Sequence, residues 1–141
     1  MRKVSIIYWS NGGNVEVLAD HIFQGAKEAG AEVIVKHVNE ASLEDVTSAD
    51  AVAFGSPSMD NNRIEQSEME PFINQFKLLS NENKNLVLFG SFGWDDGAFM
   101  KEWIVRMQDY GFNVVGNITV KEAPNGKELE KAKELGRMLV K

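Results

Sequence analysis

The amino-acid sequence predicts an α/β fold, a three-layer αβα sandwich on a five-stranded parallel sheet. Three observations carry that reading. Apolar, β-branched runs alternate with helical stripes from end to end. The runs are mostly continuous rather than alternating, as in strands covered on both faces. Glycine, proline and capping residues stand at the joins where βα units need them. At 141 residues the chain has room for one such domain, spanning 1–141, and not for two.

Strands are expected at 3–9, 32–38, 51–56, 85–91 and 113–120. The first helix, 15–29, places Val15, Leu18, Ala19, Ile22 and Ala26 on one stripe, and Gly30 ends it. A short turn of helix over 43–46 takes Ser42 as its cap. The helix over 67–80 aligns Met69, Phe72, Ile73, Phe76 and Leu79, and Ser67 with Glu70 gives it a capping-box pattern. The next, 97–110, aligns Phe99, Trp103, Met107 and Tyr110 ahead of Gly111. The last, 126–140, carries Leu129, Ala132, Leu135 and Leu139. Pro124 precedes it, and Asn125 with Glu128 approximates a capping box. Five βα units in series imply a doubly wound parallel sheet.

Composition narrows the function. Apolar residues make up 43% and charged residues 26%, as in soluble globular proteins. No apolar run reaches 18 residues, which excludes a transmembrane helix. The opening Met1-Arg2-Lys3-Val4 enters a strand without a signal-peptide segment, so a cytoplasmic protein is expected. The absence of cysteine removes disulfides, thiolate catalysis and iron–sulfur ligation. A net charge of −6 argues against nucleic acid and suits a protein that meets basic partner surfaces.

With strand order 2-1-3-4-5, the loops after strands 1, 3 and 4 meet at one rim, where doubly wound sheets bind ligands. The first loop lies in Tyr8-Trp9-Ser10-Asn11-Gly12-Gly13-Asn14-Val15-Glu16. An apolar strand that breaks into Ser, Asn and two glycines and then opens a helix is a common way to hold a phosphate, because glycines admit an anion close to successive N–H groups. The second loop, Gly55-Ser56-Pro57-Ser58-Met59-Asp60-Asn61-Asn62, adds hydroxyls and a methionine. The third, Gly90-Ser91-Phe92-Gly93-Trp94-Asp95-Asp96-Gly97, sets an indole among glycines. Together they suit a phosphorylated planar ring.

On these motifs, with Glu68-x-Glu70-Pro71-Phe72 between them, the chain resembles the short-chain flavodoxins over essentially its whole length. The resemblance implies FMN as cofactor and low-potential, one-electron transfer between redox partner proteins by a monomeric carrier. It implies that Ser10, Asn11, Gly12, Gly13, Asn14 and Val15 bind the FMN phosphate, with Ser58 adding a hydroxyl nearby. Pro57, Met59, Asp60 and Asn61 cover one face of the ring and Trp94 the other, beside Ser91, Phe92, Gly93 and Asp95. Asp60, Asp95, Asp96, Glu65 and Glu68 surround the ring with negative charge. That charge opposes addition of an electron and offers partners an acidic face. Trp9 and Trp103 are expected in the core.

Two departures from the family pattern matter. Gly12 and Val15 stand where threonines are usual, so two hydroxyl donors to the phosphate are missing. Such bonds are worth about 1.5–3 kcal/mol each, which predicts weaker FMN binding carried by backbone N–H groups. Asp60 replaces a usual glycine in a turn that flips to positive φ, which predicts weaker support for the one-electron-reduced cofactor.

Rival chemistries fail on residues. No Lys follows Gly13 as in a P-loop, and Asn11-Gly12-Gly13-Asn14 is no dinucleotide fingerprint. A phosphoacceptor receiver needs acids where Tyr8-Trp9-Ser10 and Gly55-Ser56-Pro57 stand. The serines lack a G-x-S-x-G setting, and His21 and His37 lack ligand-spaced companions. Two alternatives stay open at this point: an FMN-dependent quinone or NAD(P)H reductase, and a cofactor-free binding module of the same fold.

Overall fold

The structure, a computed structural model, describes residues 2–59, 61–81, 83–93 and 95–141. In chain order it runs β1 (Lys3–Tyr8), α1 (Asn14–Glu28), β2 (Glu32–His37), α2 (Leu43–Thr47), β3 (Ala51–Gly55), α3 (Met69–Asn74), β4 (Asn85–Phe92), α4 (Phe99–Asp109), β5 (Asn113–Lys121) and α5 (Gly126–Val140). The strands pair in parallel in the order β2-β1-β3-β4-β5, as the sequence predicts.

Period-two geometry sends successive strand residues to opposite faces, and here both faces are covered. Ile6, Ala53, Val87 and Phe89 point to the layer of α1 and α5, where Leu18, Ile22, Leu135 and Leu139 meet them. Ile7, Phe54, Leu86 and Leu88 point to the layer of α3 and α4, against Phe72, Phe76, Trp103 and Met107. That is why the three central strands are mostly apolar runs. Phe54 anchors the second layer, with its ring about the rings of Phe72, Phe76 and Phe112 at 5.9–6.1 Å.

The expected helix over 67–80 is shorter and differently capped. It begins at Met69 and passes after Asn74 into a 3-10 turn, Gln75–Leu78, which leaves Leu79 on the surface. The expected Ser67–Glu70 capping box does not form. Glu65 does the capping: its Oε1 accepts from the N–H groups of Glu68 and Met69, both at 2.8 Å, and its Oε2 from the Ser67 N–H at 2.8 Å and the Ser67 hydroxyl. Glu70 is drawn off by a two-pronged ion pair with Arg106 of α4.

Glu65 is 3% exposed. Burial pushes its carboxyl up, but the Ser67 hydroxyl and the three amides outweigh this and hold it below the ordinary carboxylate range. A carboxyl depressed in the folded chain contributes stability above its unfolded value of about 4.3, and loses it as pH falls through the folded value. Glu65→Gln is therefore expected to destabilise the protein at neutral pH by about 2 kcal/mol. Its melting temperature should also depend less on pH below about 4.3. Parallel acid profiles for wild type and variant in thermal melts would remove Glu65 from this role.

Candidate functional site

The register brings the ends of β1, β2 and β3 into one row with Phe89 of β4. Tyr8 lies opposite His37 on one side and Gly55 on the other, and Gly55 lies opposite Phe89. Backbone bonds continue the row past the strand ends: Trp9 N–H to the Gly55 carbonyl at 3.0 Å, Ser56 N–H to Phe89 at 3.1 Å and Ser58 N–H to Ser91 at 2.8 Å. The loops after β1, β3 and β4 thus leave the sheet side by side.

The first of them builds an anion cradle from backbone alone. Gly12 and Gly13 take φ of 111° and 96°, in the left-handed region that glycine reaches without strain. Gly13 is the N-cap of α1, and no side chain caps that end. The first N–H groups of a helix have no intrahelical partner, so those of Asn14 and Val15 remain for a ligand. A Cβ built on Gly12 or Gly13 meets nothing within 4 Å, which marks open space where an anion has room. Val15 enters the site only through its amide, because its side chain is buried in the core at 2% exposure. Ser10 is anchored from β2, its N–H directed at His37 Nε2 at 3.4 Å. Glu16, in the first turn of α1, accepts the Tyr8 hydroxyl at 2.8 Å. Burial, then the Glu16 carboxylate, push the Tyr8 phenol up to about 12.

In the second loop Met59 bridges back to Arg63, with its N–H on the Arg63 carbonyl at 2.7 Å, and the methionine side chain is left 41% exposed. Asn61 and Asn62 hold the turn at φ of 62° and 56°, which asparagine tolerates. Asn62 was not among the expected site residues, and no local pattern marks it. Its Oδ1 is buried and has no partner among the described residues, and the residue lines a small pocket with Phe99, Trp103 and Arg106 of α4. Ser56 braces the loop: its hydroxyl accepts the Glu65 N–H and donates to the Pro57 carbonyl, both at 2.9 Å.

The third loop is tied to the second. Ser58 Oγ donates to Asp95 Oδ2 at 2.5 Å, and the Gly97 N–H donates to Asp95 Oδ1 at 2.9 Å. The Ser58 hydroxyl expected near the phosphate is therefore engaged with Asp95. Ser91 is buried beneath the loop, Phe92 is half-buried, and Gly93 is exposed with open space at its Cα. The expectations for Asp60 and Trp94 lie outside the described residues.

The expected acidic rim is narrower than five carboxylates. Glu65 is inside the protein, and Glu68 accepts the Trp9 indole N–H at 3.0 Å. That bond leaves Trp9 half-buried at the edge of the core, while Trp103 lies within it as expected. Asp95 is half-buried and bonded as above. Asp96 is the exposed acid of the described rim. A wider groove of about 830 Å³ lies between α1 and β2, floored by Val17, Phe23 and Val35 and edged by Glu16 and Asp20. Its carboxylates disfavour a phosphate, so it is no rival cradle.

An uncapped glycine nest on β1, flanked by a methionine turn and a glycine-rich third loop, defines a doubly wound protein that holds a phosphorylated planar cofactor. The residues present fit FMN: amides for the phosphate and an exposed thioether for a ring face. The flavodoxin family model matches residues 6–136. The chain is 37% identical over 140 residues to the flavodoxin of Megasphaera elsdenii, covering 98% of each. It superposes on the solution structure of two-electron reduced Megasphaera elsdenii flavodoxin with a TM-score of 0.85 and 36% identity, covering 97% and 98% of the two chains. It is also 29% identical over 145 residues to the anaerobic nitric oxide reductase flavorubredoxin of Aeromonas hydrophila, where it spans 99% of its own length and 29% of that protein. The chain belongs to the flavodoxin family, FMN-binding proteins that carry electrons between redox partners.

Proposed function

We propose that this chain is an FMN-containing, low-potential electron carrier whose cofactor lies along the rim formed by loops 10–15, 57–62 and 91–95. The observation that carries the assignment is the side-chain-free nest at Gly12 and Gly13, set one strand away from the exposed Met59. Bound there, FMN supplies the one-electron chemistry. The N–H groups of Asn14 and Val15 and the N-terminus of α1 hold its phosphate. The Met59 turn, fixed by Arg63 and Ser56, excludes water from one ring face. Asp95 and Asp96 keep the ring's surroundings negative, which disfavours added electrons and attracts basic partners.

The near-complete match in length to the flavodoxin of Megasphaera elsdenii, 98% of each chain, supports a carrier over a stand-alone reductase. Among the described residues no helix is long and apolar enough to cross a membrane. We place this carrier in the cytoplasm as a monomer.

Titration of the apoprotein with FMN should quench flavin fluorescence and yield a yellow 1:1 complex. Affinity should be at least about tenfold below that of a family member with both threonines, since even one lost charged hydrogen bond exceeds 1.4 kcal/mol. The same complex should oxidise NADH only when a separate reductase is added. A preparation that stays colourless at high micromolar FMN would favour the cofactor-free alternative. Steady NADH oxidation by the protein alone would favour the reductase.

A further inference from the structure

The chain carries two Asn-Gly pairs, Asn11-Gly12 and Asn125-Gly126, and the fold treats them differently. The first stands just before α1 and the second at the start of α5. Asn125 is fully engaged. Its Oδ1 accepts the Glu128 N–H and its own N–H donates to Glu128 Oε1, both at 2.9 Å. Asn11 is exposed, and its side chain makes no hydrogen bond among the described residues. Its successor Gly12 is exposed too, at φ 111°, with nothing within 4 Å of where a Cβ would stand.

An asparagine followed by glycine is chemically labile, because no Cβ on the next residue screens its main-chain nitrogen from the side-chain amide. At this pair the Gly12 nitrogen attacks Asn11 Cγ, and the Cγ–Nδ2 bond breaks. The proton that Gly12 gives up to solvent is balanced by the one that the departing NH2 takes up to leave as ammonia. Water then opens the five-membered imide. Opening at Cγ gives aspartate, and opening at the main-chain carbonyl gives isoaspartate, whose backbone is one methylene longer. The side-chain amide and water are consumed, ammonia and a carboxylic acid are formed, and nothing is oxidised or reduced. The attacking nitrogen is anionic, and the positive end of α1 favours that anion as it favours phosphate.

We propose that Asn11 is a self-modification site of the cofactor-free protein, and that its conversion to aspartate or isoaspartate closes the cradle to phosphate. The inference rests on the cofactor site proposed above. Asn11 Cα is one peptide unit, about 3.8 Å, from that of Gly12, so the new carboxylate stands at the edge of the nest and repels a phosphate dianion. In isoaspartate the added methylene also shifts the amides that follow. With phosphate bound, like charge disfavours the nitrogen anion and the loop is held, so the loaded protein is guarded. Asn125 has the same glycine and the same helix-start field, but its capping box keeps the side-chain carbonyl turned to Glu128. A molecule that stays without FMN for long enough thereby loses the means to take it back.

The test ages the whole apoprotein in mildly alkaline buffer alone, with saturating FMN and with saturating riboflavin. Peptide mass mapping follows aspartate and isoaspartate at both pairs. Without ligand, Asn11 should convert several-fold faster than Asn125. FMN should slow Asn11 and leave Asn125 unchanged, whereas riboflavin, which lacks the phosphate, should not protect. Ageing of the apoprotein should lower its affinity for FMN and spare that for riboflavin. Asn11→Asp should show the loss without ageing, at least about tenfold, equivalent to about 1.4 kcal/mol. In Asn11→Gln, whose longer side chain closes the ring poorly, the starting FMN affinity should not drift with time. Equal rates at Asn11 and Asn125, protection by riboflavin as strong as by FMN, or an Asn11→Asp protein that binds FMN like wild type would each overturn the proposal while FMN binding itself stands. If fresh wild type does not bind FMN, the cofactor assignment fails and takes the guarding by phosphate with it. Faster conversion of Asn11 in the mass map would still uphold the modification site.

Discussion

Gly136→Val should destabilise the folded chain by more than about 3 kcal/mol, lowering the melting temperature by roughly 10 °C or more. The reason lies where α1 crosses α5. A Cβ on Gly136 would stand 2.1 Å from the carbonyl oxygen of Ile22 and 2.8 Å from the amide nitrogen of Ala26. The contact is reciprocal, since a Cβ on Gly25 would stand 1.9 Å from the carbonyl oxygen of Lys133. These neighbours are helix backbone, which has no rotamer to change, so any side chain forces the helices apart. Separation opens the layer that Leu18, Ile22, Ala132, Leu135 and Leu139 fill without exposure above a few per cent.

Even alanine shows which effect wins. Inside an exposed helix Gly→Ala gains about 1 kcal/mol in propensity. Overpacking a closed contact costs about 1–3 kcal/mol, so Gly136→Ala should be a net loss of stability. Gly126, in the first turn of the same helix, has open space at its Cα. Gly126→Ala should therefore be neutral or stabilising. Urea unfolding of the three variants checks the ordering, and a Gly136→Ala protein as stable as Gly126→Ala would contradict it.

What could be seen in the sequence was whatever depends on local physics. The central strands show as apolar runs because both of their faces are covered, and α5 shows its cap because Asn125 and Glu128 exchange bonds within one turn at 2.9 Å. The glycine nest was visible for the same reason, since φ near +100° demands glycine at Gly12 and Gly13. The failures are of another kind. Ser67 and Glu70 satisfy the local capping rule, but Arg106, 36 residues away, takes Glu70, and Glu65 reaches the helix end first. Glu65 looked like a surface acid because its burial is decided by Ser56 and the fold of the second loop. His37 showed no companion in the sequence because its partner, Ser10, becomes its neighbour only through the β1–β2 register.

Gly13→Val should weaken FMN binding by at least about tenfold, equivalent to about 1.4 kcal/mol, while leaving riboflavin binding within about twofold. The backbone at Gly13 sits at φ 96° and ψ −13°. A β-branched residue there carries strain of about 1–3 kcal/mol. It relieves that strain by rotating toward negative φ, which turns the Asn14 amide out of the cradle and disturbs the start of α1 at the Val17 N–H bond to the Gly13 carbonyl, now 3.0 Å. The phosphate has no side-chain hydroxyl at position 12 or 15 to fall back on, so the loss falls directly on affinity. Packing is not at stake, because a Cβ at this position meets no atom within 4 Å. The melting temperature of the apoprotein should therefore move far less than in Gly136→Val. That separation is the decisive part: a Gly13→Val protein that binds FMN as tightly as wild type would show that the phosphate is held somewhere other than this turn.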